Sequence, residues 1–407
     1  MSVNLSVRWL RRPAAIRLGT ETRSRSRGRL LRAKRLGLEH LECRAMMSAG
    51  GLDASIDPAS LAVASENVAT ADVGQASAHV LAATAGGAKA KVAADAFETD
   101  DTRALAQTIG VNAGPQSHSI HVAKDVDWVT FELAAASDVV IETRGRSGDT
   151  RMWLYGSNPK AAAMEFDNND GVGNFSVIVR SGNHALAAGT YYVKVDEAGQ
   201  NAVISSYTVS VTSLQKGDVL LTQGKDVIAA GIRAGEALQL DVKYSNTFSH
   251  SAIYIGNGKV AEMLASGFEV TSLAKRYAES QRVDILRDRD IGDKGGAVVA
   301  AAMKYADTPY AFTQISVFAT AVTFPNRPKL VVNSPTYKAY KAVDAGSQRM
   351  ICSELVARAF DDAAIPIDVR MWPTLAKTGK SSSKQFRIDF TTPTMLAQSP
   401  DFKRLNA

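Results

Sequence analysis

Residues 248–263 read Phe248-Ser249-His250-Ser251-Ala252-Ile253-Tyr254-Ile255-Gly256-Asn257-Gly258-Lys259-Val260-Ala261-Glu262-Met263. Two apolar runs flank an Asn-Gly pair, and that pattern predicts a β-hairpin. Its register decides which side chains share a face, because side chains alternate with period two. A two-residue Asn257-Gly258 loop pairs Glu262 with Ile253, on the face opposite His250. A longer or bulged turn pairs Glu262 with Ala252, on the face of His250, and Gly256 and Gly258 permit it.

The second informative stretch is Cys352-Ser353-Glu354-Leu355-Val356-Ala357-Arg358-Ala359-Phe360. Leu355, Val356, Ala359 and Phe360 recur at helical spacing, so Cys352 is expected at a helix N-terminus. Free N–H groups and the positive dipole end there favour thiolate over thiol. Residues 214–407 hold one Cys and one His, Cys352 and His250; the other histidines are at 40, 79, 118, 121 and 184. A Cys–His pair in this segment therefore has forced members. Taken singly, Cys352 reads as a small buried hydrophobe, His250 as a satisfied strand residue and Glu262 as a solvated one. Taken together they read as a nucleophile, a base and a carboxylate that orients the base.

In order along the chain, Gly217-Asp218-Val219-Leu220-Leu221, the 249–262 hairpin, Thr308-Pro309-Tyr310 and Cys352-Ser353-Glu354-Leu355-Val356 resemble the circularly permuted NlpC-type papain-fold enzymes of the YaeF/YiiX kind. His precedes Cys here, whereas ordinary papain-like enzymes have Cys first. The resemblance implies an α+β permuted papain-like domain with Cys352 as nucleophile, His250 as general base and Glu262 as the orienting residue. It also implies a cysteine amidase or peptidase working through a thioester, with a peptide substrate, cell-wall peptide among the candidates. Lipid-acyl hydrolysis or acyl transfer is the alternative within the same fold. No metal or organic cofactor is implied. The stretch 312–350 is either a substrate-covering lid or a packed insertion.

Upstream, Trp128–Leu133, Val139–Thr143, Met152–Tyr155, Tyr191–Val195 and Tyr207–Val211 are short runs rich in apolar residues, separated by Gly, Ser, Asn and Asp clusters. Such spacing predicts an antiparallel sandwich. Asp125-Val126-Asp127-Trp128, Ser147-Gly148-Asp149-Thr150-Arg151-Met152-Trp153, the Asp167–Gly171 turn and Ala188-Gly189-Thr190-Tyr191-Tyr192-Val193 resemble the bacterial pre-peptidase C-terminal domain. That family implies a jelly-roll-like accessory module that binds or chaperones rather than catalyses. The Asp167–Asp170 cluster reads as an Asx-type turn in preference to a Ca²⁺ site. His118 and His121 have no Cys or third His near them in sequence, so zinc is not expected there.

The chain has 407 residues, 45% hydrophobic and 22% charged, which excludes a wholly disordered protein. The net charge of +6 is unevenly placed: residues 1–44 carry twelve Lys/Arg against Glu21, Glu39 and Glu42, a surplus of nine, leaving 45–407 at −3. A nucleic-acid partner is therefore not expected. Lys34–Ala49 resembles the L-E-x-L-E-x-R-x-L-L-S-A leader of exported bacterial proteins, with Met46-Met47 for Leu-Leu. An extracellular or cell-surface location follows, with no transmembrane segment, since no run of 18 apolar residues occurs. The expected layout is a basic export leader at 1–48, a low-complexity linker at 49–100, a β-sandwich at 101–213 and a permuted papain-like domain at 214–407. A non-catalytic surface-binding protein, with the sandwich as its working part, is the alternative from another class.

Overall fold

The computed structural model describes residues 92–225, 229, 232–233, 247–344 and 348–406. The expected leader and most of the expected linker lie outside these residues.

The first nine strands are β1 (Gln107–Thr108), β2 (Gln116–Ile120), β3 (Val126–Leu133), β4 (Asp138–Gly145), β5 (Thr150–Tyr155), β6 (Glu165–Asn168), β7 (Val177–Arg180), β8 (Gly189–Glu197) and β9 (Ile204–Leu214). They form two sheets, ordered β1-β3-β8-β5-β6 and β2-β9-β4-β7. Every pairing is antiparallel except β1 with β3. β3 buries alternate residues, as a strand with one face on a core must. Ile120, Phe131, Ile141, Met152, Leu154, Val193, Tyr207 and Val209 fill the space between the sheets. This is the expected sandwich. At its turn, Asp167 Oδ2 accepts from Asp170 N at 3.3 Å and from Val177 N at 2.9 Å, the local bonding of an Asx-type turn.

An α+β region follows: β10 (Val219–Gly224), β11 (His250–Gly256), β12 (Lys259–Leu264), β13 (Gly267–Ser272), α1 (Leu273–Glu279), β14 (Ser280–Asp288), α2 (Gly295–Met303), α3 (Phe312–Thr323), α4 (Pro328–Asn333), α5 (Pro335–Val343), α6 (Cys352–Asp362), α7 (Pro373–Ala376), α8 (Lys384–Asp389), α9 (Pro393–Gln398) and β15 (Phe402–Arg404). Its sheet runs β13-β12-β11-β10-β14-β15, all antiparallel. β10 and β11 bury consecutive residues rather than alternate ones. Consecutive burial means that both faces are covered. On one face Val219, Leu221, Ile253 and Met263 pack with Val298 of α2 and Leu355, Val356 and Phe360 of α6. On the other, Leu220, Ala252, Tyr254, Val260 and Ile285 pack with Leu273 and Tyr277 of α1 and with Val140, Val177 and Leu214 of the sandwich.

Polar contacts reinforce this joint. Arg144 of β4 lies 2.9 Å from both Glu142 and Asp284. Arg287 of β14 lies 2.7 Å from Asp218 and donates to Ser213 O at 2.7 Å. The stretch 312–343 is packed rather than lid-like: Val317, Ala321 and Val331 are fully buried. Phe318 meets Trp372 edge-on at 4.9 Å and Phe390 at 5.4 Å between ring centroids. Among the described residues no helix is long and apolar enough to cross a membrane.

Candidate active site

The hairpin decides where Glu262 points. Asn257 and Gly258 both have positive φ, 55° and 67°, as a two-residue primed turn requires. Gly256 accordingly pairs with Lys259, but the register then shifts at Ile255, and Tyr254 pairs with Val260 and Ala252 with Glu262. One bulged residue in a strand reverses the facing of everything beyond it. Glu262 thus lies on the face of His250, with Oε2 at 2.6 Å from His250 Nε2. The sandwich pins the turn: Asp138 Oδ2 accepts from Asn257 N at 3.0 Å and from the Tyr254 hydroxyl, and Gly258 N donates to that hydroxyl at 2.9 Å.

Two further groups hold the Glu262 carboxylate, which is fully buried. The Thr271 hydroxyl donates to Oε1, and Arg276 Nη1 of α1 stands 3.4 Å from Oε2. Burial alone would raise the Glu262 pKa, but the hydrogen bond and charge of His250, the Arg276 charge and Thr271 together lower it. The carboxylate is therefore ionised and takes the His250 Nε2–H, which leaves Nδ1 for the sulfur.

Cys352 is the first residue of α6, behind Ile351 in extended conformation. It is 5% exposed. Burial opposes the thiolate, but the charge and hydrogen bond of His250, then the Ser251 backbone N–H and hydroxyl, lower the thiol pKa below its ordinary value. Burial opposes the imidazolium too, yet the Cys352 charge and hydrogen bond, with Glu262, raise His250 to about 10. The two shifts have one physical cause: each group's charge favours the charged form of the other, which moves the pair toward thiolate and imidazolium. Beside it, burial and then the Cys352 charge push the Tyr310 hydroxyl above its ordinary value, so it stays protonated.

The helix start is itself anchored. Ser353 Oγ donates to Thr391 O at 2.7 Å. Glu354 accepts from Arg358 Nε at 2.7 Å, and Arg358 Nη2 lies 2.5 Å from Asp389, which also accepts from the Tyr340 hydroxyl. These residues fix the axis of α6, and with it the sulfur, by way of buried charge pairs.

The three residues singled out by sequence, Cys352, His250 and Glu262, are thus brought together. Ser251, Thr271, Arg276 and Tyr310 were missed in these roles. Thr271 and Arg276 come from β13 and α1, and no spacing in the sequence links them to Glu262. Around His118 and His121, carboxylates converge both from Asp125 and Asp127 nearby and from Asp95 and Glu98 further upstream, which the spacing of the two histidines did not reveal.

The model of the bacterial pre-peptidase C-terminal domain matches residues 125–197, inside the sandwich. A protein of Escherichia coli strain K12 named "Probable lipoprotein peptidase YaeF" is 26% identical over 204 residues, 47% of this chain and 69% of the relative. The solved pre-peptidase C-terminal domain of a Bacillus anthracis collagenase is 21% identical, covering 26% of this chain and 93% of that one, with a TM-score of 0.22. PliG, a periplasmic inhibitor of g-type lysozyme from Aeromonas hydrophila, is 18% identical, covering 26% and 96%, with a TM-score of 0.20. The chain therefore carries a pre-peptidase C-terminal domain in its β-sandwich and resembles, elsewhere, a relative named as a peptidase.

Proposed function

We propose that this protein is an exported cysteine hydrolase that cleaves an amide bond, in a peptide and in particular a cell-wall peptide, through a Cys352 thioester. The observation that carries the reading is the contact chain Glu262–His250–Cys352, with 2.6 Å between Glu262 Oε2 and His250 Nε2 and the sulfur at the start of α6. The peptidase name of the Escherichia coli relative supports the hydrolase class. Pre-peptidase C-terminal domains occur in secreted proteins, which supports export.

The steps follow from the resting ion pair. The Cys352 thiolate attacks the substrate carbonyl carbon, and the carbonyl π pair moves to oxygen. Ile351 offers no side-chain acceptor to the first N–H groups of α6. Those groups, Cys352 N–H among them, are free to donate to the oxyanion. The oxyanion collapses, the C–N bond breaks, and His250 Nδ1–H gives its proton to the departing amine. Water then attacks the thioester, giving a proton to His250. The C–S bond breaks, the acid leaves and the ion pair is restored. Glu262 keeps the imidazole in one tautomer throughout.

The test is turnover by wild type and Cys352→Ala on cell-wall peptides and, separately, on acyl lipids. Cleavage of peptides that vanishes in Cys352→Ala upholds the reading. Turnover confined to acyl lipids moves the protein to lipid-acyl hydrolysis or transfer. Turnover of neither class, or turnover indifferent to Cys352, returns the sandwich to the leading role as a binding module.

A further inference from the structure

A second cluster of reactive side chains lies inside the sandwich, where the proposed hydrolysis makes no use of it. Asp95, His118 and Asp127 each offer a ligand atom, and those atoms lie within 4.8 Å of one another. Asp95 precedes β1, His118 sits on β2 and Asp127 on β3. His118 is 1% exposed and Asp127 2%. Asp100, also 1% exposed, brings Oδ2 to 3.9 Å from His118 Nδ1.

The state of His118 is set from its far side. Its Nε2 is 3.1 Å from Gln116 Oε1, and Gln116 Nε2 donates to Thr108 O at 3.5 Å, which keeps the amide oxygen turned toward the ring. An amide oxygen only accepts, so the proton of the neutral imidazole sits on Nε2 and Nδ1 presents a lone pair. That Nδ1 has no hydrogen-bond partner, nor has the Asp100 Oδ2 that faces it. Among the described residues no Lys or Arg ion pair reaches Asp95, Asp100 or Asp127. Two buried polar atoms left without partners, amid carboxylates and without a Lys or Arg, are a costly arrangement. A nearby triad shows the contrast. Glu98, His121 and Asp125 also converge, but His121 Nδ1 is 2.7 Å from Asp125 Oδ2 and is paired with Glu98 as well, so a proton already satisfies it.

We propose that Asp95, His118 and Asp127, with Asp100 alongside, bind one divalent transition-metal ion of the zinc class. A mixed nitrogen and carboxylate set suits zinc and its neighbours, whereas Ca²⁺ and Mg²⁺ take oxygen ligands. Gln116 holds the imidazole for the metal, and the Tyr207 hydroxyl, donating to Asp127 Oδ2, holds a carboxylate. The donors come from three separate stretches, so the ion ties the chain ahead of β1 onto β2 and β3.

The test uses the full chain carrying Cys352→Ser, so that the thiol beside His250 takes up no metal. Metal-stripped protein is titrated with Co²⁺ and followed by visible absorption, then back-titrated with Zn²⁺ and, in parallel, with Ca²⁺. The expected result is one equivalent of Co²⁺ with the intense bands of a four-coordinate site, displacement by Zn²⁺ but not Ca²⁺, and a higher thermal midpoint when loaded. His118→Gln weakens binding by about 100-fold or more and Asp100→Asn by about 10-fold, while His121→Gln binds as the parent does. Should His118→Gln fail to fold, as judged by circular dichroism, the parent titration and Asp100→Asn decide. The proposal is overturned if the parent takes up neither Co²⁺ nor Zn²⁺ at micromolar concentrations. It is equally overturned by preference for Ca²⁺, or by loss of binding in His121→Gln with none in the other variants.

Discussion

Glu262 touches His250 because one residue, Ile255, bulges out of β11 between them and the turn. Without that bulge, Glu262 lies on the far side of the sheet from the imidazole. The contact sets which nitrogen of His250 faces the sulfur. Glu262→Ala is expected to lower kcat/KM by about 10²- to 10³-fold, and Glu262→Gln by less, since an amide oxygen can still accept from Nε2. Steady-state kinetics on a cleaved peptide measures both, and equal activity in all three proteins would remove Glu262 from the mechanism.

The bulged turn is held from the sandwich by Asp138. Asp138→Ala leaves the Cys352 surroundings untouched, yet should lower kcat by about 3- to 10-fold through loss of alignment. The drop should fall on kcat with KM little changed. A wild-type kcat would show that the turn keeps its geometry unaided.

The ion pair sets the pH dependence. With the Cys352 thiol lowered and His250 raised to about 10, the thiolate–imidazolium form spans neutral pH. Iodoacetamide should label Cys352 readily at pH 6, where an ordinary thiol of pKa about 8.5 reacts slowly. Labelling should decline only as acid protonates the thiolate. In His250→Ala the thiol pKa rises, and labelling at pH 6 should collapse toward the ordinary rate. Turnover should fall as pH climbs through about 10, because the imidazolium that the proposed mechanism uses as its acid is lost. Rapid labelling at pH 6 that survives His250→Ala would sink the ion pair.

At the joint between sandwich and sheet, Arg144 stands between Glu142, 3% exposed, and the fully buried Asp284. Arg144→Met leaves a buried carboxylate short of its cation and should cost about 3–5 kcal/mol, read as a lower urea midpoint. Burial alone would raise the Asp284 pKa, but Arg282, Arg144 and Arg404 lower it. Its contribution is therefore complete above the unfolded value of about 4 and fades as pH falls through the folded one. Acid unfolding of Arg144→Met should begin at a higher pH than in wild type. Unchanged midpoints in both experiments would mean that the joint carries little stability.

Phe318 tests the character of the 312–343 insertion. Its ring packs on Trp372 and Phe390, so Phe318→Ala should cost about 3–5 kcal/mol of stability. A lid residue would instead alter KM and leave the melting temperature alone.

Much of this was legible in residue pattern. The alternation in β3 and the turn clusters around it announced the sandwich, and Asn257-Gly258 announced the hairpin. The Cys352 position at a helix start could be read from Leu355, Val356, Ala359 and Phe360. Three things could not be read. The bulge at Ile255 was one of two registers the glycines allowed, and only packing selects between them. Thr271, Arg276 and Ser251 act through contacts that no spacing records. The cover on the second sheet face was hinted at by the unbroken Val219-Leu220-Leu221 and Ala252-Ile253-Tyr254 runs, but a run of that kind does not say what covers it.

What covers it, together with α1, is the sandwich, and this bears on how the protein could be processed. Some enzymes mature by shedding an accessory module. A protease cutting between Leu214 and Val219 here, and letting the halves part, would bare Leu220, Ala252, Tyr254 and Val260 to water and free the turn from Asp138. The released half would be sticky and misaligned. Separation at the joint would be a route to inactivation.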